Sequence, residues 1–150
     1  MIKFQVFEEK IANEYKKDIK MYLKQVLEEN GIKNNDNQIN KIYRDMVSYI
    51  KDGSAIIVGA FEEKKMIGFI WAYERYINDE KRYHINYFII SRENRKQGIG
   101  QKLMNQIYII AKKNKVKKIE LMVTMNNESA VKFYQKQNFK AERIMLCKEI

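Results

Sequence analysis

The stretch Ser91-Arg92-Glu93-Asn94-Arg95-Lys96-Gln97-Gly98-Ile99-Gly100 holds the residues best suited to binding an anion. Two glycines one residue apart, after a strand-like apolar run and before a helical one, let the backbone approach a ligand closely. The first N–H groups of the following helix have no intrahelical acceptor, and the positive end of its dipole lies with them. Arg95 and Lys96 add full charges, so a phosphate or pyrophosphate is the natural guest. Two familiar phosphate loops fail here. Gly-x-x-x-x-Gly-Lys-Ser/Thr does not occur, and Gly-x-Gly-x-x-Gly breaks because Leu103 stands where the third glycine is required. A plain glycine-bearing turn with solvated charges is the bland alternative.

Acid–base chemistry has few candidates. His84 is the one histidine and Cys147 the one cysteine, which excludes a multi-histidine metal centre and an internal disulfide. No metal is expected. A single thiol and no apolar leader over Met1–Lys10 point to a cytoplasmic, reducing compartment, and no run approaches the length of a membrane span.

The net charge of +10 is unevenly spread: residues 1–75 carry 13 Lys/Arg against 12 Asp/Glu, and residues 76–150 carry 16 against 7. A basic surface in the second half should attract an anion, whether nucleic acid, an acidic membrane surface or a phosphorylated cofactor.

One domain over 1–150 must position these groups, since 150 residues with 45% hydrophobic content support one core and no linker or repeat interrupts them. Ile2, Phe4 and Val6 alternate as a strand. Apolar residues from Glu9 to Glu29 recur at helical spacing up to a stop at Gly31, and Asp36 can cap a second helix through Ile50. Runs 55–61 and 66–76 form a hairpin, and 83–90 is the next strand. A helix over 99–111 follows the glycine loop and ends at Asn114; then come a strand over 118–124, a helix over 127–137 and a final strand over 139–149. This order describes an α+β (mixed α/β) fold, a central, mostly antiparallel sheet of six to seven strands flanked by about four helices.

Two segments of the second half resemble the GNAT superfamily of N-acetyltransferases. Arg95-x-x-Gly98-x-Gly100 matches its Arg/Gln-x-x-Gly-x-Gly/Ala signature, and Asn127-Glu128-Ser129-Ala130-Val131-Lys132-Phe133-Tyr134-Gln135-Lys136-Gln137-Asn138-Phe139 resembles its Asn-x-x-Ala-x-x-Phe/Leu-Tyr-x-x-x-Gly-Phe segment. Asn138 replaces the usual glycine, which its tolerance of left-handed angles permits. Arg92 replaces a frequent proline. The resemblance covers roughly residues 83–140; before that, only the order of elements agrees.

The resemblance implies a single GNAT-type domain using acetyl-CoA as co-substrate. The loop amides of Arg95, Lys96, Gln97, Gly98, Ile99 and Gly100 would hold its pyrophosphate. Backbone groups of Phe88, Ile89 and Ile90 would pair with the pantetheine arm, admitted where strands 83–90 and 118–124 splay apart. A backbone N–H near Phe88 or Ile89 would hold the thioester oxygen as it becomes negative. Asn127 and Phe133 would line the arm, Asn127 serving also as a helix cap. Tyr134 would protonate the departing thiolate, against the alternative that it only fills an apolar face.

For the base, His84 competes with Glu74 and with a water chain, and an exposed strand-end histidine is the bland reading. Strand alternation puts His84, Asn86, Phe88 and Ile90 on one face. Tyr73, Tyr76 and Tyr87 are candidates for shaping an acceptor pocket.

The expected reaction is direct attack of a primary amine on the thioester; the acceptor, whether a small amine, an amino sugar, a polyamine or a protein N-terminus, matches no motif. Cys147 lies far in sequence from both motifs, which disfavours a covalent acetyl intermediate. A homodimer is common among such relatives. Two other classes compete: a nucleic-acid module built on Lys112, Lys113, Lys115, Lys117 and Lys118, which no zinc-finger or RNA-binding aromatic signature accompanies, and a non-catalytic acetyl-CoA sensor.

Overall fold

A computed structural model describes residues 1–150. The elements in chain order are β1 (Ile2–Val6), α1 (Glu9–Glu14), α2 (Lys16–Glu29), α3 (Asp36–Lys51), β2 (Ala55–Glu62), β3 (Lys65–Ile77), β4 (Glu80–Ile90), a short 3-10 turn (Arg92–Asn94), α4 (Ile99–Lys113), β5 (Lys118–Leu121) and α5 (Glu128–Lys136). The expected mixed fold is present, with two corrections to the count: the sheet has five strands, in the order β1-β2-β3-β4-β5, and five helices flank it. Strands β1 to β4 pair antiparallel and β5 joins β4 in parallel. No helix is long and apolar enough to cross a membrane.

The extra helix comes from a bend at Tyr15 within the single helix expected over 9–29. Backbone bonds run through the bend, from Tyr15 N to Ile11 O and from Ile19 N to Tyr15 O, so the apolar rhythm continues across it. The Tyr15 ring lies 5.0 Å from Phe61 and its hydroxyl donates to the Lys64 carbonyl, which ties the bend to the β2–β3 turn. At α3 the cap is Asn35, not Asp36: its side chain accepts from Gln38 N while Gln38 accepts from the Asn35 amide, a capping box.

The missing strand is the last one. Residues 140–150 make no backbone hydrogen bond and are exposed, so the apolar alternation there has no ladder to enter. Phe139 packs on Tyr134 at 5.6 Å, and Glu142 accepts from the Arg82 guanidinium at 2.9 Å. Strand β4 also begins earlier than its apolar run: Asn78 and Asp79 take left-handed angles (φ 49° and 64°) and join Ile77 to Glu80 in a two-residue turn.

Each face of the sheet carries a core. Helices α1 to α3 cover one, where Ile11, Ile19, Leu23, Ile39 and Met46 pack on Phe69, Trp71 and Ile89. Helix α4 covers the other, with Ile99, Leu103 and Ile107 packed on Ile70, Ala72, Tyr83 and Ile85, and Phe133 and Tyr134 of α5 against them. Strand β4 is sandwiched between the two cores, which fixes which face each of its side chains serves.

Candidate active site

The site grows from a parting of strands. Pairing between β4 and β5 covers Arg82 to Ile85 against Lys118 to Leu121 and stops there. Beyond that point β4 continues as Asn86–Ile90, paired with β3 on one side and with no strand on the other. Strand β5 is therefore shorter than the 118–124 expected: Met122, Val123 and Met125 have left the ladder and are exposed. A wedge with one open strand edge results, with its apex at the pair Ile85 and Leu121.

A bulge shapes that edge. Trp71 pairs with Tyr87 and the next residue, Ala72, with Ile85, so Asn86 is extra in β4. The face assignment expected from alternation is corrected by this residue. Phe88 and Ile90 pack toward α4 and α5, whereas His84 pairs with Tyr73 and faces the α1–α3 side together with Tyr87 and Ile89. A period-two pattern shifts phase when one residue is inserted.

The glycine loop stands at the mouth of the wedge. Gly98 caps α4 with φ 76° and no side-chain cap, and Lys96 also takes a left-handed angle (φ 60°). None of the backbone amides of Lys96, Gln97, Gly98, Ile99, Gly100 or Gln101 donates to a protein acceptor; the first bond of the helix is from Lys102 N to the Gly98 carbonyl. Lys96, Gln97 and Gly98 are exposed. These donors meet the requirement of a diphosphate for several convergent N–H groups at a helix start.

Arg95 does something different from what its charge suggested. Its Nη2 donates to both oxygens of Glu29 at 2.7 and 2.9 Å, and its Nε donates to the Ile90 carbonyl at 3.1 Å. Arg92 Nε donates to the same carboxylate at 3.3 Å. Glu29, at the end of α2, thus clamps the loop, and Lys96 is left as the loop cation with no ion pair. Sequence spacing gave no hint of Glu29, which lies more than sixty positions away from its partners.

Helix α5 brings in an aromatic cluster. Its N-cap is Asn127, whose side chain accepts from Ala130 N and donates to Asn30 at 3.3 Å. Its C-terminus closes through Phe139 N to Tyr134 O and Asn138 N to Gln135 O, with Asn138 left-handed (φ 66°), a conformation that favours glycine and that asparagine tolerates. The contact of Phe139 with Tyr134 belongs to this motif, so the helix stop itself orients Tyr134. Phe88 lies 5.7 Å from Phe133 and 6.5 Å from Tyr134. A Cβ at Gly100 would meet both Phe88 and Phe133 at 3.5 Å, so the loop, the open strand and α5 converge there. Burial among these rings pushes the Tyr134 hydroxyl up to about 12. It stays protonated at neutral pH, so in the resting site it can serve in proton transfer as an acid and not as a base.

Of the two base candidates, only His84 lies near the apex. It is 7% exposed, not a loose strand-end residue, and its Nδ1 is 2.8 Å from Glu120 Oε2 across the β4–β5 pair. Arg75 and Arg82 reach the same carboxylate at 3.5 and 3.6 Å. Glu74 sits opposite Tyr83, roughly 17 Å along the strand from Phe88 at 3.3 Å per residue. Its carboxylate binds Lys81 at 3.2 Å and the Tyr76 hydroxyl at 3.1 Å. The structure therefore does not bring Glu74 into the wedge.

Tyr73 and Tyr87 share the α1–α3 face with Trp71 and Tyr49, at ring separations of 5.3 Å for Trp71–Tyr87 and 6.4 Å for Tyr49–Trp71. Tyr76 points to the other face and is exposed, so it stands outside that row. Burial, reinforced by the Asp45 carboxylate, raises the Tyr87 hydroxyl above its ordinary range. The lysines from Lys112 to Lys118 gather at the opposite end of α4 from the loop, about 22 Å away at 1.5 Å per residue, where cations complement the helix dipole.

Comparison with known proteins agrees with this geometry. A model of the acetyltransferase (GNAT) family matches residues 18–139. Among solved structures, a predicted acetyltransferase with acetyl-CoA from Clostridium acetobutylicum superposes with a TM-score of 0.80 at 15% identity, over 99% of this chain and 96% of that one. An aminoglycoside acetyltransferase from an uncultured soil metagenomic sample, in complex with sisomicin, gives 0.76 at 14% identity over 99% and 95%. A ribosomal-protein-alanine N-acetyltransferase from Brucella melitensis gives 0.74 at 14% identity over 99% of both chains. No curated protein matches. The family model spans most of the chain, and the protein belongs to the GNAT acetyltransferase family.

Proposed function

We propose that this protein is an N-acetyltransferase that carries an acetyl group from acetyl-CoA to a primary amine by direct attack, within a single domain over residues 1–150. One observation carries the reading: the unpaired amides of Lys96–Gln101 lead directly to the open β4 edge at Asn86–Ile90, a strip of backbone donors and acceptors matching a diphosphate followed by an amide-bearing arm. Acetyl-CoA, when bound, supplies the activated acyl group.

Each residue then has a task. The loop amides and Lys96 hold the diphosphate, with Arg95 and Glu29 keeping the loop in shape. Phe88 and Ile90 turn their N–H groups to the arm, whereas Ile89, opposite Phe69, directs its own to β3 and the Ile90 carbonyl is held by Arg95. The Phe88 amide, which faces the open edge while that of its neighbour Ile89 is turned to Phe69 of β3, donates to the carbonyl oxygen as negative charge develops, a contribution that removal of a comparable donor places at ~3–4 kcal/mol. Phe88, Phe133 and Tyr134 exclude water. The amine nitrogen bonds to the acyl carbon, the carbon–sulfur bond breaks, and Tyr134 donates its proton to the sulfur. The acceptor's own proton leaves on the α1–α3 side, where His84 is the one base candidate near the apex.

The acceptor enters from that side, over the half-buried rings of Tyr73 and Tyr87, which attract an ammonium, with Trp71 buried beneath Tyr87. An amino sugar or a protein N-terminal amine suits an aromatic wall of this kind, and the structural relatives include an aminoglycoside acetyltransferase and a ribosomal-protein-alanine N-acetyltransferase. The test pairs thermal shift with a thiol-release assay over small amines, amino sugars, polyamines and peptide N-termini. Stabilisation by acetyl-CoA with thiol release on adding one acceptor class is expected. Stabilisation by an oligonucleotide alone would refute it, and acetyl-CoA binding without turnover on any amine would leave a sensor.

A further inference from the structure

We propose that Glu120 is a positioning residue: it holds the Nδ1–H of His84 so that the Nε2 lone pair faces the acceptor and takes its proton. This rests on the acetyltransferase reading and adds a second residue, from a different strand, to the site. Three observations converge. The pair His84 and Glu120 is the first one past the apex pair Ile85 and Leu121, so it lies where an arm running along the open edge of β4 must end. The two side chains meet at 2.8 Å, both largely buried. The third concerns the free nitrogen: Nε2 hydrogen-bonds no protein atom, and it is not sealed from solvent as Trp71 Nε1 and Glu120 Oε1 are.

A carboxylate only accepts hydrogen bonds, so the nitrogen facing Glu120 must carry the hydrogen, and in the neutral ring the other then carries the lone pair. The imidazole is further held by Tyr73, whose ring centroid is 5.2 Å away. Two guanidinium groups neutralise the carboxylate at ion-pair distance without hydrogen-bonding it, Arg75 on β3 at 3.5 Å and Arg82 on β4 at 3.6 Å, Arg82 being itself bound to Glu80 at 2.7 Å and to Glu142 at 2.9 Å, so that the hydrogen bond from His84 Nδ1–H is the one Glu120 accepts from a side chain. In the transfer, an N–H bond of the acceptor ammonium breaks and its proton passes to Nε2, directly or through one water. The freed electron pair attacks the acyl carbon; the surplus proton left on the adduct nitrogen passes to the Tyr134 oxygen once the phenol has protonated the departing sulfur, and the Nδ1 hydrogen stays on the imidazole, donated to Glu120, throughout.

His84 is the one histidine, so its two ring nitrogens give isolated signals in nitrogen-15 NMR. The neutral ring is expected as the Nδ1–H tautomer in the wild type, as the same tautomer in Glu120→Gln, which keeps an acceptor oxygen, and as Nε2–H in Glu120→Ala. Kinetics should follow the tautomer: kcat falls roughly 10²-fold in Glu120→Ala, less in Glu120→Gln, with the KM for acetyl-CoA unchanged in both. An Nε2–H tautomer in the wild type overturns the proposal, as does a changed tautomer with unchanged kcat. Should Glu120→Ala fail to fold, the wild-type tautomer and the Glu120→Gln pair still decide. A wild type that binds acetyl-CoA but acetylates no amine refutes the enzyme itself, which separates that failure from failure of the dyad alone.

Discussion

The two loop glycines should respond to the same substitution with opposite signs. Gly98 has φ 76° and a Cβ there would meet nothing within 4 Å, so Gly98→Ala carries a purely conformational cost of about 1–2 kcal/mol. Gly100 lies inside α4, where an added Cβ would touch Phe88 and Phe133 at an ordinary 3.5 Å. Gly100→Ala should therefore stabilise the helix by about 0.5–1 kcal/mol. For a chain of this length each kcal/mol moves Tm by roughly 2–4 °C, so Gly98→Ala should melt several degrees below the wild type and Gly100→Ala slightly above it. Binding adds a second readout. If the alanine of Gly98→Ala relaxes toward negative φ, the amides of Lys96–Gln101 lose their common direction. Loss of even one bond to a charged oxygen, about 1.5–3 kcal/mol, weakens acetyl-CoA by roughly 10- to 100-fold. Differential scanning calorimetry with and without acetyl-CoA measures both effects. Equal shifts of the same sign in the two variants, or a Gly98→Ala protein with wild-type Tm and wild-type affinity, would refute the reasoning.

Tyr134→Phe should lower kcat roughly 10²-fold while acetyl-CoA affinity is retained, and because burial holds the hydroxyl near 12 it should add no alkaline limb below about pH 11 to the wild-type pH profile; unchanged turnover would remove Tyr134 from the mechanism. Arg95→Ala removes three hydrogen bonds at once, leaving Glu29 held by Arg92 alone and the Ile90 carbonyl by Gln25 alone. It should cost at most about 1 kcal/mol of stability, as exposed pairs do, yet weaken acetyl-CoA clearly by loosening the loop, whereas an unaltered dissociation constant in titration calorimetry would contradict the clamp. The hydrogen bond from Arg82 holds the Glu142 carboxyl below the usual carboxylate range. That attachment is complete above the ordinary glutamate value of about 4.3 and is lost as pH falls through the lower folded value. Limited proteolysis with an acid-active protease should therefore cut residues 140–150 faster at pH 3 than at pH 5, and equal rates would refute the anchor.

What the sequence made legible was set by local rules. The α3 stripe survives as buried Ile39, Tyr43 and Met46, because a helix face needs only a 3.6-residue rhythm. The glycine loop and Asn138 were readable because left-handed positions restrict residue choice. The bulge at Asn86 was not readable, since an inserted residue leaves the composition of a strand unchanged while it reverses every face assignment behind it. Glu29 and Glu120 look like ordinary surface acids until tertiary contact sets them against Arg95 and His84. The alternation over 139–149 shows the converse: a strand pattern without a neighbour to bond remains an extended segment.

The grip of the loop on a diphosphate is tested most directly by amide nitrogen-15 and proton shifts on titration with coenzyme A and with pantetheine. Coenzyme A should move the resonances of Lys96–Gln101 most, together with those of Asn86–Ile90, and pantetheine should move only the second group. Loop amides that stay still while coenzyme A binds elsewhere would contradict the account.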